Sequence, residues 1–478
     1  MGITCILKQS GFIIKSREEN SMEDTIAAVA TAYGEGGIGI IRISGEKALP
    51  ILREIFEFHG ETNTFISRRM TYGKIIDKEN NRLIDEVLAV YMKGPKTYTA
   101  EDVVEINCHG SVVSLRKTLA LVLRKGARLA KPGEFTKRAF LNGRLDLSQA
   151  EAVIDMIRAK TDKSFDAAVS QLEGGLSLKV EEIRQKLLDL LVEITVNIDY
   201  PDEDIEEMTY DKLEESIVEA HNMIEKLLAT ASTGRMIREG IKIAIVGKPN
   251  VGKSSLMNGL LKEKRAIVTD IPGTTRDTIE EVLSIRNIPV YLVDTAGIRE
   301  TSDKVEKMGI EKSKEAFNRA DFILFILDGS QPLEEEDIQI MELLERRKSL
   351  VMINKRDLGT VISKDEISAK LPDCRVIEAS LVEGEGITEI EDAVEELVYG
   401  GEITQKESTM VGNVRHIELL QQGRQSLADA LQMTQKREAL DFIEVDVKNA
   451  YEKLGEIIGE TVSDDIINEV FARFCLGK

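Results

Sequence analysis

Long hydrophobic runs are missing from this sequence. No stretch approaches the ~18–20 uninterrupted apolar residues that a helical membrane span requires. Cysteine is scarce as well. The four residues Cys5, Cys108, Cys374 and Cys475 lie far apart with no CxxC spacing, which excludes a disulfide framework and suits a reducing, cytoplasmic setting. Basic charge is in deficit, 63 Lys and Arg against 84 Asp and Glu for a formal net charge of −21, and this argues against a simple sequence-nonspecific nucleic-acid coat. The N-terminus MGITCILKQSGFIIKSREENS lacks the form of a signal peptide, because Lys8, Gln9 and Ser10 interrupt its apolar stretch and no small-residue cleavage site follows. It fails the myristoylation pattern too, since Ile6 stands where Ser or Thr is wanted. Residues 1–21 read as an extension ahead of a second candidate start at Met22, and are expected to be poorly ordered.

What is present is globular. The 478 residues are 42% hydrophobic and 31% charged, enough apolar material for real cores and a length that suggests two to four domains. Charge is unevenly spread. Residues 1–140 carry 21 basic and 17 acidic side chains, and the remainder 42 and 67, which supports a boundary near residue 140. The first segment alternates β-rich runs (Ile38–Ile43, Glu86–Tyr91, Val103–Ile106) with a helical run at Val112–Leu123, and reads as α+β. Its GEGGIG run at Gly34–Gly39 lacks GxGxxG spacing and reads as a tight turn before a strand. From Ser148 onward the period is helical. Val180, Ile183, Leu187, Leu190, Ile194 and Ile198 share one face, and Pro201 closes the helix within DYPDEDIEE. Those acids read as helix-start charge, ahead of the alternative of a metal site. A second helical block from Val414 spaces Ile417, Leu420, Leu427 and Leu431 in the same manner. Strands alternate with helices between the two blocks. The expected architecture is α/β and α: an N-terminal α+β domain at 22–140, an all-α domain in two halves at 141–238 and 402–478, and a P-loop α/β domain at 239–401 inserted between those halves.

The inserted segment carries a nucleotide signature. The buried-strand pattern Ile241–Val246 runs into GKPNVGKSS, which is G-x-x-x-x-G-K-S at Gly247–Ser254 in its strand–loop–helix context. Backbone amides of such a loop cradle phosphate oxygens, drawing in Asn250, Val251, Gly252, Lys253, Ser254 and Ser255. Lys253 is placed for the β- and γ-phosphates and the Ser254 hydroxyl for Mg²⁺. Three further elements follow in order. DIPGTTRD spans Asp270–Asp277; with Thr269 before it, it offers Asp270, Ile271, Pro272, Gly273, Thr274 and Thr275, the last as a second Mg²⁺-ligating hydroxyl. DTAG supplies Asp294, Thr295, Ala296 and Gly297, the aspartate for the Mg²⁺ shell and Gly297 for the γ-phosphate. NKRD supplies Asn354, Lys355 and Asp357, whose carboxylate accepts the N1–H and exocyclic N–H of guanine, so GTP is chosen over ATP. Ser380, Leu381 and Val382 in EASLVEGEG resemble the loop that offers backbone N–H to the guanine O6, with Leu381 where alanine is usual.

Ile298 directly after DTAG is a departure of consequence. Many small GTPases place glutamine there to orient the attacking water, and isoleucine cannot. Another group must serve. Asn250 and the oxygen-rich loop Thr269–Thr275 offer a monovalent-cation site near the β- and γ-phosphates, where a cation neutralises transition-state charge. Glu306 is a candidate for orienting water through a bridging water, with an ordinary surface glutamate as the alternative.

Together these residues resemble the bacterial tRNA-modification GTPase family called MnmE or TrmE, over essentially the whole chain from about Met22. GGIGIIRISG at 36–45, YTAEDVVEINCHG at 98–110, KPGEFTKRAFLNGRLDLSQAEA at 131–152 and the terminal FCLGK at 474–478 are the distinctive signatures. The resemblance implies an N-terminal domain that binds a tetrahydrofolate one-carbon donor (5-formyl- or 5,10-methylene-tetrahydrofolate), a helical domain and an inserted GTPase domain. It implies a homodimer whose GTPase domains associate when K⁺ and GTP are bound. It also implies an FAD-dependent partner subunit of the MnmG/GidA type in a heterotetramer, placing an aminomethyl or carboxymethylaminomethyl group on C5 of the wobble uridine (position 34) of tRNA. By position, Arg42, Glu105, Arg144 and Lys478 match the folate contacts. Asn250, Thr269, Ile271 and Thr274 match the K⁺ ligands, Ser254 and Thr275 the Mg²⁺ ligands, and Glu306 the catalytic glutamate.

Cys475 has two readings: a thiolate attacking C6 of uracil to activate C5, or a buried hydrophobe in an apolar FC-L context. His109 reads as a hydrogen-bonded structural histidine. The basic residues between Arg116 and Arg144 read either as a solvated helix face or as a strip for weak, salt-sensitive tRNA contact. Two competing functions fit the GTPase elements. A ribosome-assembly GTPase switch leaves FCLGK and the N-terminal signatures unexplained, and a membrane-remodelling GTPase lacks a lipid-binding tail. Because Ile298 cannot orient water, GTP turnover is expected to be faster in K⁺ than in Na⁺ at equal ionic strength; equal steady-state rates in the two salts would remove the cation from the account.

Overall fold

Alternation of apolar and polar residues in Val103–Gly110, with Val104, Ile106 and Cys108 buried, makes a strand with one core face. In the computed structural model, which describes residues 24–60, 63–199, 209–264, 281–293, 318, 320–345, 347–400 and 409–478, it is the sixth of thirteen strands. These are β1 (Ile26–Val29), β2 (Gly36–Ser44), β3 (Phe56–Phe58), β4 (Met70–Asp77), β5 (Arg82–Met92), β6 (Val103–Gly110), β7 (Arg128–Leu129), β8 (Ile241–Val246), β9 (Glu281–Ile285), β10 (Ile288–Val293), β11 (Phe322–Asp328), β12 (Ser349–Asn354) and β13 (Arg375–Glu378). Residues 1–21 and most of DYPDEDIEE lie outside the described residues.

The chain divides into two compact units. One comprises the residues up to Ala150 together with Val462–Lys478, and the other Glu151–Thr461. The first unit is built on a seven-stranded sheet of order β3-β4-β5-β6-β2-β1-β7. One sheet face buries Ile41, Ile43, Val104 and Ile106 against the helices Ala48–Ile55 and Val112–Arg124. The first of these helices contributes Ala48, Ile51, Leu52 and Ile55, a spacing that puts all four on one stripe. The opposite face carries a smaller cluster, Ile26, Ala28, Ala130 and Phe135 with Tyr98 beside them. Of the run Gly34–Gly39, read as a turn before a strand, only Gly34 and Glu35 precede β2, and Gly36–Gly39 are its first four residues.

Sequence reading runs the helical half on to residue 478, whereas the contacts group residues from Val462 with the N-terminal sheet. The reason is local packing. Phe471 stacks against Phe140 at 6.3 Å and Phe474 at 5.3 Å, the Gly133 amide donates to the Cys475 carbonyl at 3.3 Å, and the Phe135 amide donates to the main-chain oxygen of Lys478 at 3.2 Å. Gly477, at φ 89°, sits so close to the Val29 carbonyl that a β-carbon would collide with it.

In the second unit, the helices Gly175–Asp199, Tyr210–Ala229, Val414–Gln435 and Leu440–Ile458 bury a common core that includes Val180, Leu187, Ile217, Leu427 and Leu454. Helices before and after the inserted segment therefore complete one bundle. The insertion is a six-stranded sheet of order β13-β12-β11-β8-β10-β9, parallel except for β9. β8 shows why both faces are covered: Ile243 and Ile245 face one core, Ala244 and Val246 the other. That continuous apolar run is what a parallel central strand needs.

Arg138, 4% exposed, joins the elements of the first unit: its guanidinium reaches Asp24 at 2.6 Å, Glu101 at 3.1 Å and Glu134 at 3.3 Å. Arg138→Met leaves the mostly buried Glu101 carboxylate without its cation, while Asp24 and Glu134 keep Arg128, and is expected to destabilise this unit by roughly 3 kcal/mol, read as a lower midpoint in urea unfolding.

Candidate functional site

The strand order reverses about β8, and ligands of open α/β sheets bind at the carboxyl ends of strands where this happens. There the chain makes a turn that few residues tolerate: Gly247 has φ 146°, Asn250 φ 64° and Gly252 φ 115°. Glycine is free in this region, and asparagine is among the side chains that enter it. The helix Lys253–Lys264 follows at once, so its unsatisfied first amides and positive dipole end face the loop. Lys253 folds its ammonium back on the loop, donating to the carbonyls of Gly247 and, at 2.5 Å, Lys248. Burial lowers its pKa, and a phosphate in the loop would restore it by supplying the opposite charge. Ser254 and Ser255 are exposed on the first turn.

Asn354, 3% exposed, joins three loops. Its side-chain N–H donates to the Val251 carbonyl at 2.7 Å, and its side-chain oxygen accepts from the Leu381 amide at 3.1 Å. Gly252 lies against the same amide, with no room for a β-carbon. On the next turn Ser380, fully buried, donates to Asp357 Oδ1 at 2.8 Å. That bond orients the exposed carboxylate and leaves Oδ2 for a ligand. Lys355, at φ 67°, is held by Asp328 at 2.6 Å, and Val382 stands 85% exposed beside Leu381. The structure thus brings together Asn250–Ser255, Asn354, Lys355, Asp357 and Ser380–Val382. Thr269–Thr275, Asp294–Gly297, Ile298 and Glu306 lie outside the described residues. Among the described residues no group of three or more His, Cys, Asp or Glu is arranged to hold a metal.

Two supports of this site carry no sequence signal. Asp328 fixes Lys355, and Lys248 of the loop pairs with Asp337 at 2.7 Å and Glu334 at 2.9 Å, tying the loop to the helix Glu335–Leu344. None of these three acids belongs to a motif; only the fold brings them near.

A second constellation occupies the smaller face of the N-terminal sheet. Arg42 and Glu105 are cross-strand partners on β2 and β6, and the guanidinium Nε donates to Glu105 Oε1 at 2.8 Å. Arg42 Nη1 is buried without a hydrogen-bond partner. The Tyr98 ring lies 5.3 Å from the Arg42 guanidinium and 4.9 Å from that of Arg144, with Phe135 5.7 Å from Arg42. Arg144 also donates to the Tyr98 carbonyl at 2.9 Å. Burial, and next the Arg42 charge, push the Lys478 ammonium below its ordinary range. Arg42, Glu105, Arg144 and Lys478 therefore converge, with Tyr98 and Phe135 as ring faces that sequence reading did not single out. Cys475 is exposed, which removes its reading as a buried hydrophobe. Three cations, one of them with a buried unsatisfied donor, one carboxylate and two ring faces fit a flat heterocycle that carries N–H donors and an acidic tail.

His109 is hydrogen-bonded, its Nδ1 2.6 Å from Asp85 Oδ1, and this partner raises its pKa. Part of the basic stretch is spent on local acids. Arg124 pairs with Asp77 at 2.7 Å, and Arg128 with Asp24 and Glu134, each at 2.6 Å. Lys125, between Glu54 at 2.7 Å and Glu79 at 2.8 Å, is pushed up to about 12 by those carboxylates.

The chain is similar to known proteins over nearly its whole length. Residues 25–144 match the family described as GTP-binding protein TrmE N-terminus, and residues 147–475 match the MnmE helical domain. The tRNA modification GTPase MnmE of Alkaliphilus metalliredigens (strain QYMF) is 56% identical over 459 residues, covering 96% of this chain and 100% of the relative. That of Clostridioides difficile (strain 630) is 53% identical with the same coverage. Among solved structures, the G domain of the T. maritima FeoB iron transporter is 26% identical over 33% of this chain and 98% of its own, with a TM-score of 0.25.

Asn354→Ala removes two hydrogen bonds and leaves a buried carbonyl unsatisfied, a loss of about 2 kcal/mol. The dissociation constant for guanine nucleotide in equilibrium titration is expected to rise by roughly 30-fold; an unchanged constant would show that the three loops hold their places without it.

Proposed function

Because the chain belongs to the MnmE family of tRNA modification GTPases, we propose that its GTP hydrolysis drives formation of the 5-aminomethyl or 5-carboxymethylaminomethyl group on the wobble uridine of tRNA. GTP binding and hydrolysis in tRNA modification follow from the family itself. The finer assignments rest on the two constellations. In the nucleotide site, the amides of Asn250–Ser255 and the Lys253 ammonium grip the phosphates. Asp357, oriented by Ser380, accepts the two guanine N–H groups. Ser254 and Thr275 would hold Mg²⁺, and the Asn250 side chain with oxygens of Thr269, Ile271 and Thr274 would hold K⁺. Glu306 would orient the attacking water in place of the glutamine that Ile298 displaces.

The observation that carries the one-carbon reading is the convergence of Arg42, Glu105, Arg144 and Lys478 around Tyr98. Tetrahydrofolate, as the 5-formyl or 5,10-methylene form, supplies the carbon when bound. Arg42 and Lys478 would hold its carboxylates or ring oxygen, Glu105 would accept from the pterin N–H groups, and Tyr98 and Phe135 would offer it apolar ring faces. Cys475, which is exposed, would attack uracil C6 and so activate C5. Redox chemistry calls for a second protein, the FAD-dependent subunit, in a heterotetramer built on a homodimer of this chain. K⁺ and GTP together would bring the two GTPase domains into contact.

Nucleoside analysis of tRNA from a strain deleted for this chain tests the proposal. The expected outcome is loss of the modified wobble uridine with the unmodified base in its place; normal modification would overturn it.

A further inference from the structure

The GTPase domain is joined to the helical bundle by two chain crossings, and the crossings touch. The inbound chain is the helix Ala231–Glu239, which passes through Gly240 straight into β8 and so into the phosphate loop. The outbound chain leaves the helix Ile387–Tyr399, which itself starts just after the guanine loop, and is described again from residue 409. Gly234 on the first and Gly412 on the second meet backbone to backbone. A β-carbon on Gly234 would lie 2.6 Å from the Val411 carbonyl oxygen, and one on Gly412 would lie 2.5 Å from the Gly234 carbonyl oxygen. Neither glycine has a positive φ, so closeness, and not backbone conformation, demands glycine. The Val411 amide donates to Thr230 Oγ1 at 3.1 Å across the same junction.

Both crossings are then pinned to one helix. Glu151 and Asp155 sit one turn apart on Leu147–Arg158. Asp155 takes Arg238 of the inbound chain at 2.8 Å. Glu151, 6% exposed, takes Arg415 of the outbound chain at 2.7 Å and 3.1 Å and His416 at 2.7 Å. Arg415 also donates to the carbonyls of Glu456 at 2.8 Å and Ile457 at 3.0 Å, which end the long helix Leu440–Ile458. A carboxylate this buried is tolerated only while its partners stay in register, so the arrangement resists small displacements and shifts as a unit.

We propose that Glu151, Asp155, Arg238 and Arg415, with the Gly234–Gly412 crossing, are positioning residues that lock the two roots of the GTPase domain together and pass the state of its nucleotide loops to the helical bundle. None of them belongs to the nucleotide motifs. Their effect falls on how hydrolysis is used, and not on hydrolysis itself. The activity readout rests on the tRNA-modification reading above, whereas the exchange readout does not.

Full-length Asp155→Asn, Asp155→Glu and Gly412→Ala variants, alongside the unmodified chain, test this in three measurements. GTP turnover of the chain alone is expected to stay within about twofold, while modified uridine formed per GTP hydrolysed falls at least about fivefold in Asp155→Asn and Gly412→Ala and recovers in Asp155→Glu. An unchanged ratio, or a turnover that falls in step with thermal stability, overturns the proposal. Hydrogen exchange of the Val411 amide in the unmodified chain decides the case without tRNA, and also if a variant does not fold. Exchange is expected to differ between GDP and a non-hydrolysable GTP analogue, and equal exchange overturns the lock. If the unmodified chain forms no modified uridine yet shows that difference, the tRNA chemistry fails and the lock stands.

Discussion

The buried side chain of Asn354 is the interaction on which the nucleotide site depends. The phosphate-loop and guanine motifs come from stretches more than a hundred residues apart, and the phosphate loop alone holds Gly247, Asn250 and Gly252 at positive φ. Asn354 answers this with one amide. It donates to the phosphate loop at Val251 and accepts from the guanine loop at Leu381, while the strand that carries it is buried along its whole length. A side chain with one donor and one acceptor end, fixed at the end of a rigid strand, sets the spacing between the two halves of the ligand site. An aspartate could not donate to the carbonyl, and an alanine would leave the buried Val251 carbonyl and the half-buried Leu381 amide unmet.

The same logic, one strong cross-connection on a rigid sheet, builds the second constellation. Arg42 and Glu105 face each other because β2 and β6 are in register, and period-two alternation puts them on the face opposite Ile41, Ile43, Val104 and Ile106. A slip of one residue would send both charges into the large core. The last residues of the chain close over this face through Phe471, Phe474 and Gly477, which is why contacts group them with a sheet formed more than three hundred residues earlier.

These dependencies explain which parts are legible in the sequence. The phosphate loop can be read directly because all its parts are consecutive: strand, glycines, lysine and helix follow within Ile241–Lys264. β1, β3, β4 and β7 escape notice because they are short, or, for β4, because Met70–Asp77 mixes glycine and charge with apolar residues. Lys248, Asp337 and Asp328 escape because an ion pair between distant positions leaves no local pattern. The folate-like cluster is reached only through resemblance, and Tyr98 and Phe135 show what that route omits: ring faces serve by shape, and an aromatic in a loop or at a helix start has no periodic signature.

Charge gives the clearest instance of position outweighing composition. A basic run at Arg116–Arg144 in a chain of net −21 suggests a nucleic-acid strip. In the fold, Arg124, Lys125, Arg128 and Arg138 face acids from β4, from the residues before β1, from the loop before β6 and from neighbouring helices. Counterion release to a phosphate backbone requires cations whose partners are mobile salt ions. A guanidinium already held by a protein carboxylate has no counterion to release, so binding RNA through it means breaking an existing pair first. These four residues consequently hold the N-terminal unit together. Any tRNA contact made by this chain has to draw on other cations, or on a second subunit that supplies them.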